Sequence, residues 1–589
     1  MVRYGGVPVQ RETLAPMAEA MSFWGRDGHG QWCGESAGLG HLMLRTTPES
    51  MLERLPTNIR VAPHLIITAD ARIDNRAELF DALGVPDNGR EQTPDSSLIL
   101  LAFERWGAGC VPRLLGDFAF AIWNTKERTL FCARDPFGCV PFVYRHDGGG
   151  FSFASDVRAV LAVTENPKLN EPLLAAWLQM STYFAELRQT FFVDIVKLPP
   201  GHTLTVNTGG LQLSRYWSPD DVAEIRSGGA GDLAEAMGSL FRQAVECRVR
   251  SAFPIGSHLS GGVDSSAVTI AAARILRVRG EELAMFSWSP PPQVGGRLEG
   301  EYARIDAVCR QEELVCEYLP GTRESLIATF QKDFTVEPME MLTREANVQE
   351  RAEKRKLRVI LSGWGGDEAV SCRAAAPAGI QERFRDFIRQ RLPDSLYART
   401  KANPYSMHAA SCIQGEFAAR HSREVDVMKG PAVRRLPANR ATICRYLESG
   451  HITKRAEHWA ASGARNGLVY RYPLLDRRLV EFAIGLHENT TTPRRSLFLQ
   501  AITPLLPGHE NWELAKKEPA TINALEKEYL RAHSDWATHL ETRKEKSAAS
   551  RYVDLLKVRK AVDSAAESGS MVALTGVREA FCCFASTHL

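Results

Sequence analysis

The first part of the chain consists of short apolar runs separated by clusters of glycine, proline and aspartate. Four of these runs have the length and composition of β-strands: residues 65–69, 117–123, 129–133 and 141–144. A glycine-rich turn at 147–150 follows the last run, and turns of this kind mark the ends of strands. The pattern therefore predicts stacked antiparallel sheets.

From about residue 230 the pattern changes to alternating strands and helices. Residues 233–249 and 267–276 have the composition of helices, whereas 254–259, 284–288 and 359–362 are apolar runs of strand length. Such alternation predicts a parallel, doubly wound α/β sheet. We expect four regions in the chain: an N-terminal domain at 1–165, a bridge at 166–225, an α/β domain at 226–535 and a helical C-terminal extension at 536–589.

The composition of the 589 residues is that of an ordinary globular protein, with 44% hydrophobic and 24% charged residues. A net charge of +2 gives no reason to expect nucleic acid or an anionic membrane as a partner. No apolar run is long enough to span a bilayer, and the N-terminus lacks the apolar stretch of a signal peptide. The twelve cysteines are scattered without zinc-type spacing. We therefore expect a reduced, cytoplasmic enzyme.

An octapeptide in the α/β region, Leu-Ser-Gly-Gly-Val-Asp-Ser-Ser, carries the strongest chemical signal. It leaves a predicted strand, turns on two glycines and enters a predicted helix, so backbone N–H groups and serine hydroxyls can surround an anion. Its aspartate supplies an oxygen ligand where Mg²⁺ on a phosphate would need one. The pattern is not a Walker loop, which requires Gly-Lys-Ser/Thr. The predicted nucleotide-binding residues are Leu259, Ser260, Gly261, Gly262, Val263, Asp264, Ser265 and Ser266.

A second motif, Ser-Gly-Trp-Gly-Gly-Asp-Glu at 362–368, follows another predicted strand. Together the two motifs resemble the pyrophosphate loop and the Ser-Gly-x-Gly-x-Asp-Glu segment of the asparagine synthetase family. This resemblance implies a PP-loop domain that binds ATP, with Asp264 and Asp367 holding Mg²⁺ against the phosphates. A metal there would neutralise charge as pyrophosphate leaves. The resemblance adds three residues to the nucleotide site: Ser287, Ser362 and Gly363.

The N-terminal region resembles the glutamine-hydrolysing domain of the same family, an Ntn-type αββα sandwich. An active domain of this type uses an N-terminal cysteine, whose own α-amine serves as the base, but position 2 is Val2. Asp70-Ala71-Arg72 stands where the family has Asn-Gly-Glu, and Leu42 replaces an arginine. Cys33 is internal and is expected to be structural. We therefore expect an inactive glutaminase and an amine that arrives on the substrate itself.

Relatives whose glutaminase domain is likewise inactive include β-lactam synthetases, carbapenam synthetases and lasso-peptide cyclases. The motif containing Trp364 resembles the lasso-cyclase version, and Lys516-Lys517-Glu518-Pro519 resembles a Lys-x-Asp/Glu-Pro segment of the same group. By this resemblance Lys516, with Lys517 as the alternate, would stabilise negative charge as the AMP ester collapses. Glu457, in a segment resembling Arg-x-Asp, would take or orient the proton of the incoming amine. Arg471 and Asp476 complete the resemblance, although paired charges near a core are often scaffolding.

The resemblance implies a lasso-peptide cyclase with a short core peptide as substrate. An Asp or Glu side chain would be adenylated, and the N-terminal amine of the peptide would attack it to close a macrolactam. A leader peptidase and a leader-binding protein would be partners, and residues 373–446 would form part of the peptide cleft. Two alternatives stay open: a synthetase for a small carboxylate, of the asparagine or β-lactam type, and a non-catalytic scaffold of the same fold.

Overall fold

The protein is described from a computed structural model. The described residues are 1–320 with gaps at 6, 179–186, 227, 290 and 293–299, then 342–371, 415–421, 440–486, 494–508, 512 and a few positions within 551–560.

Twelve strands and six helices lie before residue 216. The strands are β1 (Val2–Arg3), β2 (His29–Cys33), β3 (Gly38–Leu42), β4 (Thr57–Ile59), β5 (Ala62–Ile73), β6 (Gly116–Asn124), β7 (Thr129–Arg134), β8 (Val143–Asp147), β9 (Gly150–Ala154), β10 (Ile195–Lys197), β11 (His202–Asn207) and β12 (Gly210–Arg215). The helices are α1 (Arg11–Ala20), α2 (Arg76–Leu83), α3 (Asp87–Arg90), α4 (Asp95–Trp106), α5 (Val157–Leu161) and α6 (Glu171–Leu178). These counts refer to the described residues.

Two antiparallel sheets form the body of this N-terminal domain. One has the strand order β1-β9-β8-β10 and the other has the order β12-β11-β7-β6-β5-β4. Apolar side chains from both sheets, among them Ile66 and Phe151, share one core, while α4 covers the opposite face of the larger sheet. Helix α5 packs on strands β8 and β9 of the smaller sheet. The layers are helix, sheet, sheet and helix, which confirms the predicted αββα sandwich.

The segment predicted as a bridge contributes strands to both sheets instead. Strand β10 pairs with β8, and β11 pairs with β7 through residues 203–206. The Pro-Pro-Gly turn lies between β10 and β11, where the chain crosses from the smaller sheet to the larger one. Residues 195–215 therefore belong to the N-terminal sandwich, because their backbone hydrogen bonds are made to its strands.

The described C-terminal part has five strands and nine helices. The strands are β13 (Ile255–His258), β14 (Leu283–Ser287), β15 (Cys316–Tyr318), β16 (Val359–Leu361) and β17 (Val469–Arg471). The helices are α7 (Ala230–Arg248), α8 (Val263–Val278), α9 (Gly300–Glu312), α10 (Leu342–Lys354), α11 (Gly415–Arg420), α12 (Arg440–Glu448), α13 (His451–Arg465), α14 (Arg477–Gly485) and α15 (Arg494–Ile502).

All five strands are parallel and run in the order β15-β14-β13-β16-β17. The chain starts in the middle of this sheet and builds outwards in both directions, which confirms the predicted doubly wound topology. Strands β13 and β16 are fully buried because helices cover both faces of the sheet. The carboxyl ends of neighbouring strands β13, β14 and β16 therefore meet at one edge. Among the described helices, none has the length and apolar character that a membrane span requires.

Candidate active site

The loop between β13 and α8 is held by a network of serine hydroxyls. Ser265 Oγ lies 2.9 Å from Ser260 Oγ and donates to the carbonyl oxygen of Gly262 at 3.2 Å. Gly261 has φ = +71°, and a Cβ there would stand 2.6 Å from the carbonyl oxygen of Glu301. Glycine is therefore required both by the left-handed backbone and by the close approach of α9.

Helix α8 starts at the end of this loop, so its first N–H groups point towards the edge of the sheet. Val263 and Leu259 are buried and anchor the loop in the core, with the Leu259 N–H donating to Phe286 O at 2.8 Å. The Ser266 hydroxyl is buried and has no hydrogen-bond partner among the described residues. The order of strand, turn and helix agrees with the sequence pattern. A helix start of this kind suits an anion, and the nucleotide contacts stay a prediction.

The second motif packs directly against this helix start. A Cβ on Gly363 would lie 2.7 Å from Ser265 N, and a Cβ on Gly366 would lie 2.4 Å from the carboxyl carbon of Asp264. Gly366–Val370 forms a single π-helical turn, a feature often found at functional sites. The glycines of this motif therefore serve close backbone packing, which brings Asp367 to the same place as Asp264.

Ser371 lies between the two carboxylates. Its hydroxyl is 3.3 Å from Asp264 Oδ2 and 3.5 Å from Asp367 Oδ1. Burial, and then the charge of Asp367, raise the pKa of Asp264 to about 8. Arg495 of α15 contacts Asp367 at 3.4 Å and opposes this shift. Sequence reasoning missed both Ser371 and Arg495 because neither lies in a recognisable motif; the Arg494-Arg495 pair was the only available signal.

The pair of carboxylates fits a divalent cation. Asp264 Oδ1 is buried and has no hydrogen-bond partner among the described residues. Two like charges held together in this way are unfavourable unless one is protonated or a cation binds. Mg²⁺ typically takes one or two protein carboxylates and completes its shell with phosphate oxygens and water. Asp264 and Asp367 are thus the residues that would hold it.

Two other predicted nucleotide contacts lie at the same edge. Ser287 ends β14 and its hydroxyl accepts from Ser289 N at 3.3 Å. Ser362 follows β16, donates its N–H to Arg471 O at 3.0 Å, and its hydroxyl accepts from Trp364 N at 3.2 Å. Both are buried. Their positions at strand ends are those where ligands bind in open α/β sheets.

Trp364 stands beside this edge with its indole against a cation. The guanidinium carbon of Arg455 lies 3.8 Å from the centre of the Trp364 ring, and the His451 ring lies 5.1 Å from it. The Trp364 indole nitrogen is buried without a hydrogen-bond partner among the described residues. Trp364, three residues before Asp367 in the chain, therefore packs against two basic side chains of α13.

Glu457 lies on α13 and faces the N-terminal domain. Its two carboxylate oxygens pair with Arg134 Nη2 at 2.6 Å and with Lys197 Nζ at 2.8 Å. Burial alone would raise the pKa of Glu457, but Lys197 and Arg134 lower it to about 2. This geometry favours an interdomain ion-pair role, and the predicted role in proton transfer stays a prediction. Lys516 and Lys517 lie outside the described residues.

Arg471 and Asp476 act as scaffolding. Arg471 donates to the carbonyl oxygens of Arg248 and Arg250, each at 2.7 Å, and is almost fully buried. Asp476 accepts from the backbone N–H of Arg478 at the start of α14 and pairs with Arg248 at 2.8 Å. The structure thus supports the scaffolding alternative for this pair.

The residues of the N-terminal domain that differ from the family pattern also make structural contacts. Arg72 pairs with Asp74 at 2.8 Å and with Asp117 at 2.7 Å. Burial raises the pKa of the Cys33 thiol, which disfavours the thiolate that a nucleophile needs. Val2 lies in β1, is buried, and pairs with Phe151.

Comparison with known proteins gives two family matches. The glutamine amidotransferase domain model matches residues 4–217, and the asparagine synthase model matches residues 236–578. The glutamine-hydrolyzing asparagine synthetase 3 of Bacillus subtilis is 30% identical over 268 residues, which cover 45% of this chain and 43% of that protein.

Two further relatives have similar coverage. A putative glutamine-hydrolyzing asparagine synthetase 2 of Methanocaldococcus jannaschii is 30% identical over 285 residues, 46% of this chain and 55% of its own. A putative glutamine-hydrolyzing asparagine synthetase of Mycobacterium tuberculosis is 25% identical over 367 residues, 59% of this chain and 54% of its own. The chain thus spans about half the length of the curated relatives it matches.

Proposed function

Because the chain belongs to the asparagine synthase family, we propose that it is an ATP-dependent ligase that joins a carboxylate to an amine through an acyl-adenylate. The family resemblance of the two sequence motifs is confirmed at this level, as is the fold of an Ntn-type glutamine amidotransferase domain followed by a parallel-sheet synthase domain. Relatives of this family catalyse carbon–nitrogen ligation with ATP.

The observation that carries the proposal is the meeting of the two motifs. Asp264 and Asp367 converge through Ser371 at the start of α8, and Gly363 and Gly366 are packed against Asp264 closely enough to require glycine. A non-catalytic scaffold would have no physical need to hold two carboxylates together at an anion-binding helix terminus. The scaffold alternative is therefore the weakest of the three.

In the proposed reaction, an oxygen of the substrate carboxylate bonds to the α-phosphorus of ATP and the bond to pyrophosphate breaks. The amine then bonds to the acyl carbon, AMP leaves, and the amine loses its proton. Mg²⁺ held by Asp264 and Asp367 would neutralise charge on the phosphates. The loop amides and serine hydroxyls would orient those phosphates, and Arg495 would face the departing pyrophosphate.

We propose further that the amine comes with the substrate. Arg72 is committed to Asp74 and Asp117 at a position where an active glutaminase domain would recognise glutamine, and Cys33 has a raised pKa. A domain with these contacts is poorly suited to release ammonia. An intramolecular amine also gains the large effective concentration of a tethered nucleophile.

The finer proposal is a lasso-peptide cyclase. Under it, a short core peptide is adenylated on an Asp or Glu side chain and its N-terminal amine closes the macrolactam. Trp364 supports this proposal because a bulky ring stands where asparagine synthetases carry an acidic residue, so a pocket for free aspartate would be altered. A leader peptidase and a leader-binding protein would then be partners in preparing the peptide.

Ligation of a small carboxylate is the second candidate. It is favoured by the matched relatives, which bear the name asparagine synthetase. Mass spectrometry separates the two: a leaderless peptide incubated with protein, Mg²⁺ and ATP should lose one water as AMP appears, and the product should resist carboxypeptidase. Aspartate with an ammonium salt should give neither AMP nor asparagine if the peptide proposal holds.

Two sets of variants test the chemistry. Asp264→Ala should abolish release of AMP and pyrophosphate, while the exposed control Asp87→Asn should behave as wild type; unchanged product in Asp264→Ala would end the adenylation proposal. Lys516→Ala should lower amide formation by roughly 10²–10³-fold if that lysine stabilises the developing charge, with Lys517→Ala near wild type. The reverse order would assign the role to Lys517.

A further inference from the structure

One face of strand β5 breaks the apolar pattern that a sandwich core requires. Alternate residues of a strand share a face, so Thr68, Asp70 and Arg72 point to the same side as Ile66, which lies in the core between the two sheets. Asp70 is paired across the ladder with the small residue Ala119. Polar side chains and small partners cannot fill the space between the sheets, and a cavity of about 230 Å³ lies there.

The cavity reaches the interface of the two domains. Its wall includes Gly40 and His41 of β3 on one side. On the other side it includes three alanines of α13: Ala456, Ala460 and Ala464. The three alanines are spaced four residues apart, which places them on one face of the helix. Both domains therefore contribute to the wall, with the alanines of α13 as an apolar patch on the synthase side and Asp70 and His41 among the polar groups on the sandwich side.

The cations in the wall are already engaged. Arg72 is bound to Asp74 and Asp117, and Arg471 donates to backbone carbonyl oxygens. Asp70 is different, because its carboxylate makes no side-chain hydrogen bond or ion pair with any residue that the structure describes, and it projects into the cavity. The Asp70 side chain is exposed to the cavity and is not packed in the core. The surrounding protein still limits its hydration, and this desolvation, followed by the charge of Asp117, raises the pKa of Asp70 to about 6.

Other polar groups in the wall also offer acceptors or lack partners. The hydroxyl of Thr68 donates to Gly40 O at 3.2 Å and so accepts from His41 Nδ1 at 3.1 Å, which leaves the His41 Nε2 atom as an acceptor. Burial, and then Arg45, lower the pKa of His41 to about 4, so the ring is neutral. The hydroxyl of Tyr472 is buried and has no hydrogen-bond partner among the described residues.

We propose that this cavity is a binding site for a small primary alkylamine, with its ammonium group against Asp70 and its hydrocarbon part against the alanines of α13. An ammonium group has three donors and no acceptor, which matches the acceptors that Asp70 and His41 Nε2 offer. The cations that share the wall, Arg72, Arg471 and the Met1 ammonium group, are held by other partners. The volume equals roughly eight water molecules at about 30 Å³ each, so the ligand has only a handful of heavy atoms. A bound ligand would contact both domains. The site is separate from the two carboxylates at α8 and does not depend on the proposed ligase activity.

The test uses the full-length protein with n-butylammonium chloride as the probe, and 1-butanol and sodium chloride as controls. Butylammonium should raise the thermal unfolding temperature in a saturable way, and calorimetry should show one site. Asp70→Asn should weaken binding by about tenfold or more through loss of the charge-assisted hydrogen bond. Asp87→Asn, an exposed change of the same kind, should bind as wild type.

A second variant keeps the test decisive if Asp70→Asn does not fold. A Cβ on Gly40 would meet no atom within 4 Å, so Gly40→Leu should fill the cavity while keeping Asp70, and it should also prevent binding. Equal stabilisation by 1-butanol would show an apolar cavity without ammonium recognition. Undiminished binding in Asp70→Asn, or the absence of saturable binding in wild type, would likewise overturn the proposal.

Discussion

At the start of α8, Asp264 and Asp367 are held together by one serine hydroxyl, and burial, followed by repulsion from Asp367, raises the pKa of Asp264. A cation that binds both removes this repulsion only in the folded state. At a Mg²⁺ concentration 100 times its dissociation constant, linkage gives about 2.7 kcal/mol of extra stability. Asp264 is therefore the residue at which metal binding and folding stability should be coupled.

The corresponding prediction needs no assay of activity. Mg²⁺ with a non-hydrolysable ATP analogue should raise the thermal unfolding temperature of the wild type by several degrees, and Asp264→Asn should lose most of this increase. Without metal, Asp264→Asn should be at least as stable as wild type, because one of two repelling charges is gone. Differential scanning calorimetry measures both. An equal ligand effect in the two proteins would contradict the assigned metal site.

Asp70 gives a prediction about pH. Its pKa is about 6 in the folded protein against an ordinary value of 3.8, so the folded state binds the proton more tightly between those values. This carboxylate therefore lowers stability as the pH rises from about 4 to 6, and the loss is complete above about 6. Asp70→Asn should be more stable than wild type at pH 7.5, by on the order of 1 kcal/mol.

The advantage of that variant should shrink as the pH falls to 5, where Asp70 is protonated in the wild type as well. Denaturant titrations of both proteins at several pH values measure the difference directly, and Asp87→Asn serves as the matched control. A difference that does not change with pH would mean that the Asp70 carboxylate is compensated in the folded protein.

At the scale of elements, the sequence predicted the strands and helices that have one clear periodicity. The run at 233–249 became α7 (Ala230–Arg248), and the predicted strand before the phosphate loop became β13. Strand β5 extends to Ile73, well beyond the predicted strand at 65–69. The prediction ended too early because Asp70 and Arg72 interrupt the apolar run. Polar residues that face an internal cavity look like the end of a strand when the cavity is unknown.

The contact between the loop that follows β16 and the start of α8 offers a test at this scale. Gly363→Ala would place a Cβ 2.7 Å from Ser265 N, so the second motif must move away from the phosphate loop. We expect a loss of about 1–3 kcal/mol in the free energy of unfolding and a strong loss of AMP formation. Gly148→Ala, at a turn with no atom within 4 Å of the new Cβ, should change neither. Full activity in Gly363→Ala would show that the two motifs need not pack so closely.

At the scale of the whole molecule, sequence reasoning identified both domains but not how they are joined. The segment 166–225 was predicted to be a bridge because it contains a Pro-Pro-Gly turn, yet its strands pair with β8 and β7, which lie about 50 to 75 residues earlier in the chain. Such long-range pairing leaves little local signal. The same holds for Glu457, whose partners Arg134 and Lys197 lie far away in the sequence.

Glu457 therefore provides the last test, because its two possible roles predict different outcomes. If it joins the domains, Glu457→Gln leaves Arg134 and Lys197 buried with too little negative charge, and the protein should lose about 3–5 kcal/mol of stability. If it transfers a proton, the variant should unfold at the wild-type temperature and lose activity alone. The exposed Glu350→Gln controls for the substitution itself. A large drop in unfolding temperature, with activity retained at low temperature, would place Glu457 among the contacts that align the two domains.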